Sequence, residues 1–82
     1  MFSYNVSKTA NNKAFNSICS SIESNINIKE KANCLYDVDG SQIQIYETDE
    51  GLIKVYNDYE VDAVYIDSEV NLEKIKGVQL TQ

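Results

Sequence analysis

Between Ala32 and Ile66 the apolar residues recur at every second position, and turn-forming residues break the run three times. Alternation with period two puts successive side chains on opposite faces of a strand. The breaks are Asp39-Gly40, Asp49-Glu50-Gly51 and Asn57 to Glu60. Such a pattern restricts the chain to an antiparallel meander with one apolar and one polar face. Asp39-Gly40 suits a two-residue type I′ turn. Closing it there pairs Val38 with Ser41, Tyr36 with Ile43 and Cys34 with Ile45, and their apolar faces coincide. Asp49-Glu50-Gly51 fits a three-residue loop with Gly51 in the left-handed region. Pairing Thr48 with Leu52 then sets Ile43, Ile45, Ile53 and Val55 on one core face. Gln44, Tyr46, Leu52, Lys54 and Tyr56 share the opposite, outward face. A last strand runs from about Val61 to Ile66.

The N-terminal third has a different rhythm. Phe2, Tyr4 and Val6 alternate with polar residues and predict a short strand. Ser7 and Thr9 are candidate N-caps for a helix from Ala10 to about Asn25. Its apolar stripe is Ala14, Phe15, Ile18, Cys19, Ile22 and Ile26. The many Ser and Asn are weak helix formers, so docking of the stripe must hold this helix. Asn25 to Lys31 reads as a connection. Asp67 or Ser68 is expected to cap a short helix through Val70, Leu72 and Ile75, stopped by Gly77, and Val78 with Leu80 to add an edge pairing. The expected fold is α+β, one domain over residues 1–82. It comprises a short N-terminal strand, one amphipathic helix packed on an antiparallel β-meander of about four strands, and a short C-terminal helix.

Composition removes most catalytic options. There is no histidine, no arginine and no tryptophan. The chain therefore lacks the usual general base near neutral pH, an imidazole metal ligand and a bidentate phosphate clamp. With 43% hydrophobic residues, six Tyr and two Phe, it has enough material for a core and is unlike a disordered acidic tail. No apolar run approaches the ~18 residues of a membrane span, and Met1 to Ala10 lack the order of a secretory signal; a cytoplasmic location in a bacterial host cell is the expectation. All seven basic residues are lysine. Together with abundant Asn, Ile, Ser and Tyr, that suits an AT-rich genome such as that of a low-GC bacterium or its phage.

Cys19 and Cys34 are expected to be small buried core residues rather than a disulfide. Asp37-Val38-Asp39-Gly40 has the look of a calcium loop, but Leu35 and Tyr46 would fall at ligand positions, so a hairpin turn is the better reading. No catalytic residue, metal or cofactor is expected, and the lysines are too scattered for direct nucleic-acid binding.

The charge is the remaining signal. Eleven carboxylates and only Lys54 lie between Asp37 and Glu73, in a chain of net charge −6. That block selects for a positively charged partner. Tyr46, Tyr56 and Tyr59 are expected to anchor such a partner. The carboxylates Glu47, Asp49, Glu50, Asp58, Glu60 and Asp62 are expected to surround them. In size, acidity and lack of catalytic residues the chain is similar to phage anti-CRISPR proteins, uracil-glycosylase inhibitors and nuclease immunity proteins, with no aligned segment. This resemblance implies an inhibitor that mimics DNA on the basic surface of a nuclease or effector. An immunity or antitoxin protein against a basic toxin, or a homo-oligomerisation module, are the alternatives.

Overall fold

Asn11, not Ser7 or Thr9, opens the helix. Its Oδ1 accepts the Ala14 N–H at 2.7 Å, which satisfies one of the unpaired donors of the first turn. Ser7 and Thr9 are used instead in a local turn, the Ser7 hydroxyl accepting the Thr9 N–H. In this computed structural model, which describes residues 1–75 and the strand Gln79–Leu80, β1 (Phe2–Ser7) leads to α1 (Asn12–Asn25). Then follow β2 (Glu30–Lys31), β3 (Leu35–Tyr36), β4 (Gln42–Thr48), β5 (Gly51–Asp58), β6 (Ala63–Ser68) and β7 (Gln79–Leu80).

The sheet is antiparallel, in the order β2-β4-β5-β6-β1-β7, with β3 on the same edge of β4 as β2. Seven strand segments thus fill six positions. The N-terminal strand returns beside β6, and β7 lies beyond it, on the side of the sheet away from β4. The expected helix-on-meander arrangement is present with more strands than expected. Of the segment foreseen as one strand from Ala32 to Val38 only Leu35–Tyr36 is a strand, and a second dipeptide, Glu30–Lys31, lies within the foreseen connection.

One face of the sheet is covered. Phe15, Ile18 and Ile22 of α1 pack with Tyr4, Tyr46, Ile53, Val55, Val64 and Ile66 from the strands. Val70, Leu72 and Ile75 complete this core. Burial of each aliphatic side chain contributes about 1.5–3 kcal/mol. That docking is what stabilises α1, which has no acid in its first turn and no base in its last to favour it through the helix dipole.

Two turns differ from expectation by one residue each. At the β3–β4 turn the Asp37 N–H donates to the Ser41 carbonyl at 2.9 Å, and Tyr36 pairs with Gln42. The loop is therefore Val38-Asp39-Gly40. Gly40 has φ +89°, whereas Asp39 is not among the residues of positive φ, which rules out a type I′ turn. At the β4–β5 turn Thr48 pairs with Gly51 across Asp49-Glu50. Each slip reverses which face is inward. The two cancel for β3 and β5 and leave β4 alone reversed. Gln44, Tyr46 and Thr48 point into the core, and Ile43 and Ile45 point out.

The reversal has a physical basis. An aromatic side chain takes ~150–250 Å² from water, about 4–6 kcal/mol at ~25 cal/mol per Å², against roughly 1.5–3 kcal/mol for one isoleucine. Ile43 and Ile45 keep part of their burial on the other face. The amide of Gln44 and the hydroxyl of Thr48, which the reversal turns inward, find partners. Gln44 Nε2 donates to the Ala32 carbonyl at 2.6 Å, and the Thr48 hydroxyl donates to the Gly51 carbonyl at 2.9 Å while accepting the Glu50 N–H.

No helix forms between Glu69 and Ile75. Asp67 and Ser68 lie in β6, and the Ser68 hydroxyl bonds both the N–H and the carbonyl of Val70. This local bond competes with helix initiation. The segment runs on as an irregular strap that buries Val70, Leu72 and Ile75. The expected stop at Gly77 and the contribution of Val78 fall outside the described residues, while Leu80 does pair with Tyr4 at an edge.

Tyr4 holds the strap to the sheet, its hydroxyl accepting the Leu72 N–H at 2.8 Å in a buried setting. Tyr4→Phe keeps the ring and strands that N–H, so urea denaturation should show a loss of about 1–3 kcal/mol, with faster amide exchange at Leu72. Gly51→Ala should cost about 1–3 kcal/mol or more. Its φ is +132°, and an added Cβ would stand 2.7 Å from the Glu69 Cβ.

Candidate binding surface

The reversal of β4 builds the outer face of the sheet. Leu35 pairs with Ile43, Ile43 with Tyr56, and Tyr56 with Tyr65. These four side chains form one cross-strand row over β3, β4, β5 and β6. The Tyr56 and Tyr65 rings stack with centroids 4.8 Å apart and planes 13° from parallel. Ile45, Lys54 and Asp67 form the next row, and Glu47 with Leu52 the one after. Among the described residues no helix covers this face: α1 and the strap occupy the other one.

Along this row lies a cleft of about 330 Å³. Leu35, Ile43, Tyr56 and Tyr65 supply its apolar surface, and Asp37, Asp39, Asp58 and Glu60 its charge, with no lysine among the lining residues. The β3–β4 and β5–β6 turns lean together to shape it. The Tyr59 N–H donates to the Ser41 hydroxyl at 2.9 Å, and a Cβ on Gly40 would sit 3.9 Å from the Tyr59 ring.

Three of the carboxylates are held in place. Asp58 Oδ2 accepts the Tyr65 hydroxyl at 2.9 Å, and its Oδ1 accepts the N–H groups of Glu60 and Val61. Asp37 Oδ1 accepts the Val38 N–H at 2.7 Å, and Asp39 Oδ1 the Ser41 N–H at 2.9 Å. The Ser41 backbone bond holds the Asp39 carboxyl below its usual range. Burial, then the bond to Asp58 and the charge of that carboxylate, pushes the Tyr65 phenol up to about 12.

The expected contact residues divide. Tyr56, Asp58 and Glu60 line the cleft, and Tyr59 stands exposed beside it. Asp49 and Glu50 form the turn at the opposite end of β5, roughly 24 Å away for a strand of this length. Glu47 is ion-paired with Lys29 at 3.8 Å on the surface. Asp62 adopts φ +57° and its carboxylate accepts the Ala10 N–H at 2.9 Å, which ties the β5–β6 turn to the approach to α1. Leu35, Tyr36, Asp37, Asp39, Ile43 and Tyr65 were not expected at the site. The cross-strand register that gathers them depends on turns that both close one residue away from the simplest reading.

Tyr46 is a correction. It is 0% exposed and lies under α1, so it cannot contact a partner. Its hydroxyl donates to Glu23 Oε2 at 2.6 Å, and Lys31 Nζ approaches the same oxygen at 3.0 Å. These two bonds, that from Tyr46 first, hold the Glu23 carboxyl below its usual range, while burial and the bond to Glu23 push the Tyr46 phenol far up. Cys19 and Cys34 are free thiols, half-buried rather than fully buried as expected, and line a pocket with Glu23, Lys31 and Tyr46. Burial raises Cys19, which keeps it a protonated, weakly reactive thiol.

Among the described residues no group of three His, Cys, Asp or Glu side chains is placed to hold a metal ion, and no helix is long and apolar enough to cross a membrane. Compared with known proteins, the chain matches no family model, no curated protein and no solved structure.

Two titrations check this electrostatic picture. Tyr46→Phe should move the Glu23 midpoint, followed by side-chain NMR, upward toward its ordinary value near 4.5. Tyr65 is a group whose folded value is raised. Its contribution to stability is complete below about 10, the unfolded value, and is lost as pH rises through about 12. Ultraviolet titration of Asp58→Asn should show Tyr65 ionising at lower pH than in the parent.

Proposed function

We propose that this chain is a small acidic non-enzymatic inhibitor, an anti-CRISPR-like anti-defence protein of phage origin, that occupies a basic nucleic-acid-binding surface of a nuclease or effector complex in the host cytoplasm. The observation that carries this reading is the outer-face cleft. Four carboxylates and no lysine surround an apolar, aromatic floor. Fixed carboxylates above a tyrosine platform offer what a nucleic acid offers such a surface: negative charge at set positions beside flat rings. Backbone bonds hold Asp37, Asp39 and Asp58 before binding, which reduces the entropy lost on association.

The contact set under this reading is Asp37, Asp39, Asp58 and Glu60 with Tyr56, Tyr59 and Tyr65. Tyr59 is 41% exposed beside the cleft, as an anchor that gains burial only on binding should be. Asp49 and Glu50 extend the charge to the far end of β5 and suit a partner groove longer than the cleft itself.

The test is affinity capture from a bacterial lysate with the parent chain and with a D37N/D39N/D58N/E60Q variant as parallel baits. The parent should retain a basic nucleic-acid-binding protein that salt elutes and duplex DNA displaces. The variant should bind it at least about tenfold more weakly, with a shallower salt dependence. Capture that the variant preserves, or that DNA does not displace, overturns the reading.

A further inference from the structure

The uncovered row Leu35–Ile43–Tyr56–Tyr65 lines a cleft at the lower limit of the roughly 300–1,000 Å³ of ligand cavities, a size suited to one side chain. We propose that it is a socket for a single arginine of the partner; this rests on the reading that the partner is a basic protein. In the stacked Tyr56–Tyr65 pair, 13° from parallel, each ring covers one face of the other, and both supply aromatic wall to the cleft. Leu35 and Ile43 continue it with aliphatic surface across the sheet. A long aliphatic stem lies on such a row, and its cationic head reaches the carboxylates of the two turns.

The charge is complementary to that occupant and to few others. Asp37, Asp39, Asp58 and Glu60 line the cleft without a lysine, so an anionic or uncharged head is repelled or unrewarded. A second copy of the chain is disfavoured for the same reason, since it would bring its own acidic rim. Arginine fits better than lysine. A planar guanidinium stacks on an aromatic face, forks onto carboxylates and sheds water more readily than an ammonium. Asp58 is the fixed acceptor, since the Tyr65 hydroxyl and two backbone N–H groups orient its carboxylate and leave one lone pair, on Oδ2, for a further donor.

The test is NMR titration of the full chain with three capped tripeptides, Gly-Arg-Gly, Gly-Lys-Gly and Gly-citrulline-Gly. The arginine peptide should shift Ile43, Tyr56, Asp58 and Tyr65 signals in a saturable way, about threefold or more tighter than the lysine peptide. The citrulline peptide should not saturate. Asp58→Asn and Tyr56→Leu should each weaken the arginine response by about threefold or more, with unshifted Ile22 and Leu72 signals showing that the variant is folded. If Tyr56→Leu does not fold, Asp58→Asn decides. Equal arginine and lysine binding, shifts confined to Asp49 and Glu50, or no saturable response overturns the socket and leaves the broader reading to the capture experiment. Equal citrulline binding overturns both. Self-association that moves the same signals without peptide overturns the socket in favour of a second copy.

Discussion

The hydroxyl of Tyr46 and the carboxylate of Glu23 join the helix to the sheet. The contact is short, charge-assisted and reinforced by Lys31 from the neighbouring edge segment. The core organisation depends on Tyr46 facing inward. A strand has only two faces, so placing this ring under α1 also places Gln44 and Thr48 inside and Ile43 and Ile45 outside. Ile53 and Val55 across the β4–β5 ladder then lie opposite Tyr46 and Gln44. The helix is too poor in strong helix formers to stand alone, and it gains from this arrangement both an apolar bed and a polar fastening.

The same choice creates the opposite surface. Ile43 would be a core residue in the other register. In the observed one it stands between Leu35 and Tyr56 on a face that neither α1 nor the strap reaches. The protein therefore has one sheet face devoted to its own stability and another that carries apolar and aromatic side chains next to concentrated negative charge. Uncovered apolar surface of this kind on a small protein is commonly an interaction site.

The helix stripe, the antiparallel alternation and the positions of the turns were legible in the sequence because each rests on local periodicity. Phe15, Ile18 and Ile22 are buried as a 3.6-residue period requires. What was not legible was the length of each turn. Asp39-Gly40 and Asp49-Glu50-Gly51 mark where the chain reverses, but each is compatible with closure one residue away. The face of β4 was decided by long-range gains, the burial of Tyr46 and its bond to a helix 23 residues earlier, which no local pattern contains. The site shared that fate. Tyr56, Asp58 and Glu60 could be named from charge and aromaticity, whereas Leu35, Ile43 and Tyr65 join them only once the cross-strand rows are known. The segment after β6 was misjudged because Val70, Leu72 and Ile75 suit a helix stripe and an extended strap alike, and the Ser68 hydroxyl favours the strap.

The division of one sheet edge into β2 and β3 has a consequence for life at high concentration. A sheet with an uncovered apolar face would be prone to stack or to grow edge to edge if that edge were long and regular. Here the edge consists of two dipeptides, with Lys29, Glu30 and Lys31 beside the first. The intervening residues are irregular, and the Gln44 side chain already bonds the Ala32 carbonyl. A neighbouring molecule finds no continuous row of backbone donors and acceptors to extend. The broken edge removes one template for edge-to-edge growth beside the uncovered apolar face.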